Sequence, residues 1–185
     1  MLVRMLLICA IALGAIAPAV SVDGKKHRRQ HRHHRVVVVR DSTPDAWKPY
    51  VAQTVTVFNQ MLPKRAKRMR YKPIPEAMCE HNRPRRVIAV CVDPSLAGGL
   101  AAAHATPWGL WNGSGIVGLR DSRPDDPQWP PLRVLCHEFM HVTTGIGDDY
   151  SRPQRDTSCV HGDLEAPGPF DTAYAQEVYK KDRHR

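Results

Sequence analysis

Beyond its first twenty or so residues the chain lacks any hydrophobic run approaching the roughly 20 apolar residues a membrane span requires, so no integral-membrane segment is expected there. It has no internal repeat, which argues against a solenoid or propeller. At 185 residues it also lacks the length for more than one domain of ordinary size, and a monomer is expected. Cysteine is scarce, with five in all. Acidic and apolar residues are both missing from one stretch, GKKHRRQHRHHR at 24–35, which holds six Lys/Arg and four His. A segment with nothing to bury cannot offset the entropy of ordering it, so a disordered basic arm is expected over 22–35. Of the formal net charge of +9, residues 1–35 carry +6 (seven Lys/Arg less Asp23), which leaves +3 for 36–185. The folded part is therefore only mildly basic, and weak contact with polyanions is expected of residues 24–35. A second cluster, KRAKRMRYK at 64–72, reads either as a positive patch or as a solvated face.

What the N-terminus does contain is a basic start at Arg4, an apolar stretch from Met5 to Ala17, and small residues around Ala19 and Ser21. This is the pattern of a cleavable signal peptide over 1–21 and predicts a secreted chain. Removing Cys9 with that peptide leaves Cys79, Cys91, Cys136 and Cys159, an even number in an exported chain, where disulfides persist. Three pairings are possible. The closest in sequence, Cys79 with Cys91 and Cys136 with Cys159, are favoured.

From residue 36 the pattern alternates between strands and helices. RVVVVRD at 35–41 is a β-branched run too short for a helix. Thr43 and Pro44 then offer an N-cap and a first helical residue, and Trp47, Val51, Val55, Phe58 and Leu62 recur every three or four residues up to Pro63. Further strands are predicted at 69–74, 86–92 and 114–120, with a loop and one irregular strand between the last two. A turn-rich linker, DSRPDDPQWPP, leads to a helix opened by Pro131, and a final helix begins near Asp171.

The helix after Pro131 carries CHEFMH at 136–141. His137 and His141 stand one turn apart on one face, a spacing that lets two imidazoles grip one tetrahedral Zn²⁺. Glu138 is not needed as a ligand and is placed to take a proton from a metal-activated water, then return it to a leaving amine. Cys136 is a poor third ligand, because a side chain one residue from a helical ligand points about 100° away.

The longer stretch HEFMHVTTGIGDDY, 137–150, resembles the H-E-x-x-H-x-x-G-x-x-H/D signature of metzincin metallopeptidases, including aspartate variants such as the small secreted snapalysins. The order strand, helix, three strands, site helix, final helix is also similar. The resemblance implies an α+β fold with a small, twisted, mostly parallel sheet, an active-site helix and a C-terminal helix. It implies a zinc endopeptidase acting on protein or peptide substrates, with Glu138 as general base and acid and His137, His141 and Asp148 as metal ligands. Gly145 would end the site helix and turn the chain. The stretch departs from the family in three ways. Three residues, not two, separate His141 from the glycine, so the helix must run one residue longer or contain a bulge. The third ligand is an acid, Asp148 or its neighbour Asp149. No methionine occupies the turn under the metal, where Cys159 and Val160 stand instead; a Cys136–Cys159 bridge would hold that turn to the helix. Glu177 is an alternative third ligand on the gluzincin pattern. His104, Tyr150 and His161 are expected in structural or solvated roles. The glycine-flanked strand at 114–120 is a candidate for pairing with an extended substrate. The competing class is a secreted cationic binding module with a structural zinc site, using its arm to hold nucleic acid or an anionic envelope polymer.

Overall fold

The computed structural model describes residues 36–63, 68–80, 85–96, 101–105, 114–120, 129–148 and 157–181. All belong to the compact unit His34–Arg185. The expected signal peptide, the basic arm, residues 64–67 of the second cluster, Asp149 and Tyr150 lie outside the described residues.

The architecture is α+β. Five strands, β1 (Val36–Asp41), β2 (Arg68–Pro73), β3 (Val87–Val92), β4 (Ala101–Ala105) and β5 (Gly115–Leu119), form one sheet in the order β2-β1-β3-β5-β4. Every pairing is parallel except that of β4 with β5, which is antiparallel. Three helices complete the described fold: α1 (Lys48–Met61), α2 (Pro131–Thr144) and α3 (Pro169–Lys181).

Alternation along the strands turns Val37, Val39, Met69, Ile88, Val90, Val117 and Leu119 inward, where they meet the apolar sides of α1 and α2 in a single core. Within it Phe58 of α1 meets Phe139 of α2 with ring centroids 5.5 Å apart. Both rings are fully buried, so truncating either to Ala would cost about 3–5 kcal/mol. Asn59 pins the end of α1 to β2, its Oδ1 accepting from Met69 N at 2.8 Å and its Nδ2 donating to Met69 O at 2.8 Å. An edge strand's backbone is thereby partly satisfied by a side chain, which blunts it against pairing with other chains.

The first helix starts later than its cap signals suggest. Thr43 is fully buried, and its Oγ1 donates to Asp41 Oδ1 at 2.6 Å. The backbone N–H of Thr43 is held by the same carboxylate oxygen, Pro44–Trp47 forms a turn, and α1 begins at Lys48 with Pro49 in its first positions. The five periodic residues Trp47, Val51, Val55, Phe58 and Leu62 are nevertheless all buried. A second correction concerns 114–120. β5 is bonded to β3 on one side and β4 on the other, so it has no free edge to offer a substrate. That edge belongs to β4, which also packs against α2.

Both disulfides join the cysteines nearest in sequence: Cys79 to Cys91, Cα atoms 5.1 Å apart, and Cys136 to Cys159, 5.9 Å apart. Among the described residues no helix is long and apolar enough to cross a membrane.

Candidate metal centre

Helix α2 opens with Pro131, whose missing N–H leaves nothing unsatisfied at that position, and its core face is set by Val134, Leu135, Phe139 and Val142. It continues unbroken three residues past His141 to Thr144. Gly145 then takes the left-handed conformation, φ 69°, and its N–H donates to His141 O at 2.9 Å. The extra residue between His141 and the glycine is thus absorbed by a longer helix. Left-handed backbone suits glycine because it has no Cβ to clash.

The reversal at Gly145 brings the following residues back over the helix. Ile146 O meets His141 Nδ1 at 2.5 Å, and Asp148 Oδ1 lies 3.1 Å from His141 Nε2 and 3.2 Å from His137 Nε2. The two Nε2 atoms are themselves 3.0 Å apart, with the rings set edge to face at 78°. The backbone of Val160 and Cys159, in the turn that the second disulfide ties to α2, lies near His137. Asp148 is half exposed, so the cluster opens to solvent on its side. Among the described residues His137, His141 and Asp148 are the His, Cys, Asp or Glu side chains whose ligand atoms converge closely enough to hold one ion. Cys136 is occupied by its disulfide, Glu177 sits exposed on α3 outside the cluster, and Asp149 lies outside the described residues.

The chemistry of this donor set fits a cation. In the tautomer that donates its Nδ1–H to Ile146 O, a neutral His141 presents the lone pair of Nε2 toward His137 and Asp148. With both imidazoles neutral and carrying their protons on Nδ1, two lone pairs and a carboxylate oxygen would face one another at 3.0–3.2 Å. Such a triangle repels itself unless positive charge sits among its corners. Its edges lie close to the roughly 3.3 Å expected between ligand atoms about 2.05 Å from a tetrahedral zinc. Burial, and then the charge of His141, lower the pKa of His137, against the pull of Asp148 and of the backbone of Val160 and Cys159; the neutral, ligating form is favoured.

Glu138 is not one of the converging ligands, yet it is buried at 6% exposure. Desolvation, with the negative charge of Asp148 as a second cause, pushes its carboxyl up to about 8. No hydrogen bond within the described structure holds that carboxyl.

Beneath His137 the turn Ser158–His161 is organised by a fully buried carboxylate, Asp171 at the start of α3. It accepts from Ser158 Oγ at 2.6 Å, Cys159 N at 2.8 Å and Gly168 N at 2.9 Å. Gly168 has no room for a side chain, since a Cβ there would lie 2.1 Å from Thr157 O. The sequence marks Asp171 as an acid in the first turn of a helix, but its reach back to residues 158 and 159 has no signature in spacing. His161 is buried against Phe170, ring centroids 5.8 Å apart, in keeping with the structural role expected of it. No model of a known protein family matches the chain, and no curated protein sequence matches it either.

Proposed function

We propose that the chain is a secreted zinc-dependent endopeptidase of metzincin type, with His137, His141 and Asp148 holding the metal and Glu138 moving protons. The observation that carries this reading is the convergence of two imidazole nitrogens and a carboxylate oxygen at 3.0–3.2 Å, next to a buried carboxyl with no hydrogen bond among the described residues. A bound Zn²⁺ would supply Lewis-acid activation of a water and of the scissile carbonyl. Glu138 would take a proton from the attacking water and hand it to the leaving amine. Its raised proton affinity near neutrality suits both halves of that task, since a group with pKa close to ambient pH gives up and takes a proton with similar ease. A residue serving only to support a structural ion would gain nothing from a desolvated carboxyl in that position.

Substrate backbone is expected along β4, the edge strand of the described sheet beside α2, in the extended conformation that an edge strand recruits. The turn under His137 has Cys159 and Val160 in place of the methionine usual in metzincins, and the Cys136–Cys159 bridge supplies the link between turn and helix. The test is Glu138→Gln. It should keep bound zinc and fold while peptide hydrolysis falls by about 10²–10⁴-fold; full activity in that variant would remove Glu138 from the mechanism.

A further inference from the structure

We infer that Thr144 is a positioning residue for the metal centre, its hydroxyl holding Ile146 so that the Ile146 carbonyl turns the imidazole of His141 toward Asp148 and His137. The inference rests on the metal reading above. It starts at the ligand itself, where Ile146 O lies 2.5 Å from His141 Nδ1. A carbonyl oxygen can only accept, so Nδ1 carries the proton and Nε2 is left with a lone pair. That bond sets both the tautomer of the ring and its rotation.

Ile146 is in turn held at two points. Its side chain is buried, and its N–H donates to Thr144 Oγ1 at 3.3 Å. The Thr144 hydroxyl is itself fixed, because Met140 O, 2.7 Å away, can only accept its proton, which leaves the lone pairs of Oγ1 for Ile146. Where a helix reverses through a left-handed glycine, the N–H after the glycine commonly bonds back to a helix carbonyl. Here a side chain takes that place. With the N–H and Cβ of Ile146 both held, the one backbone rotation left, ψ, aims the carbonyl and also sends the chain on through Gly147 to Asp148. Two of the three candidate ligands thus depend on the placement of one residue.

The neighbouring Thr143 offers a comparison within the same turn of helix. It is also buried, and its hydroxyl makes the same bond one turn back, to Phe139 O at 2.6 Å, but no N–H beyond the helix donates to it among the described residues. Both threonines brace the helix. Of the two, Thr144 reaches the segment that returns to the metal.

The experiment compares Thr144→Val, Thr144→Ser and Thr143→Val with wild type in two ways. Zinc affinity is measured by competition with a chelator, and the tautomer of His141 is read by imidazole nitrogen NMR in metal-free protein with its rings neutral. Thr144→Val should bind zinc about 10-fold more weakly, the lower end of what a site loses with the orienting partner of a ligand, and its His141 should populate both tautomers. Thr144→Ser keeps the hydroxyl and should match wild type, as should Thr143→Val, which removes a hydroxyl unconnected to Ile146. Should Thr144→Val fail to fold, wild type decides: its metal-free His141 must hold the proton on Nδ1 and its Ile146 amide must be protected from hydrogen exchange, and failure of either overturns the inference. A folded Thr144→Val with wild-type zinc affinity or a single Nδ1–H tautomer overturns the role of Thr144 and leaves the metal reading intact, as does an equal loss in Thr144→Ser or Thr143→Val. A wild-type chain that takes up no zinc overturns both.

Discussion

Glu138→Gln has a consequence for folding that is independent of any bound metal. Glu138 is 6% exposed and its carboxyl is raised from an ordinary 4.5 to about 8, first by burial and then by Asp148. Between those two values the folded state keeps the proton and the unfolded state does not. Stability therefore falls as pH rises through that interval and levels off above about 8. At 1.36 kcal/mol per pH unit the full difference corresponds to at most about 5 kcal/mol, with more than half of it developed by neutral pH. The glutamine side chain does not titrate, so the variant escapes this loss. Titrations that do not feel the charge of Glu138 are common to both proteins and cancel from the comparison. The assay is urea unfolding of both proteins in chelator at a series of pH values from about 4.5 to 9, chosen to bracket the two titrations. The variant should gain on wild type by several kcal/mol across that range, whatever fixed cost the buried amide carries. A stability difference that stays constant between about pH 5 and 8.5 would refute the claim that Glu138 is held neutral by burial.

Three further outcomes follow from named contacts. Asp148→Ala should lower zinc affinity sharply and abolish peptide turnover, whereas Asp149→Ala should do much less; zinc titration of both variants checks it, and the reverse ranking would shift the ligand by one residue. Replacing Cys136 and Cys159 together by Ala opens a bridge of sequence separation 23 and should cost about 3 kcal/mol in urea unfolding, because the denatured chain regains its freedom. Gly168→Ala should destabilise the fold by about 1–3 kcal/mol, since its Cβ meets a backbone carbonyl that cannot give way. Unchanged thermal unfolding would mean that the close approach of residues 157 and 168 is not maintained.

Much of the candidate site can be read from residues alone because its parts are local. His137, Glu138 and His141 lie within one helix, Gly145 is the cap that helix needs, and Asp148 follows by the length of the turn. Local bonding also explains why cap signals misplace the start of the first helix. Thr43 has the residue type of a cap, but its N–H and hydroxyl both bond back to the buried Asp41 and the chain makes a turn before the helix begins. Strand existence is legible from β-branched runs, whereas strand order is not. Nothing in SGIVGLR states that Gly115–Leu119 lies inside the sheet, because burial of both edges depends on β3 and β4 arriving from elsewhere in the chain. Asp171 is the same case at the level of the site. Its three donors come from residues 158, 159 and 168, and their convergence is a property of the folded turn.

The central claim is that His137, His141 and Asp148 hold a zinc ion used for peptide hydrolysis. It is tested most directly by measuring zinc content and peptide-library cleavage on the same preparation of the chain lacking residues 1–21, before and after chelation and zinc return. One zinc per chain is expected, with cleavage lost on chelation, regained on zinc return and absent from zinc-loaded Glu138→Gln. A chain that binds no zinc, or one that holds zinc and cleaves no peptide under conditions where its fold is intact, would contradict the account.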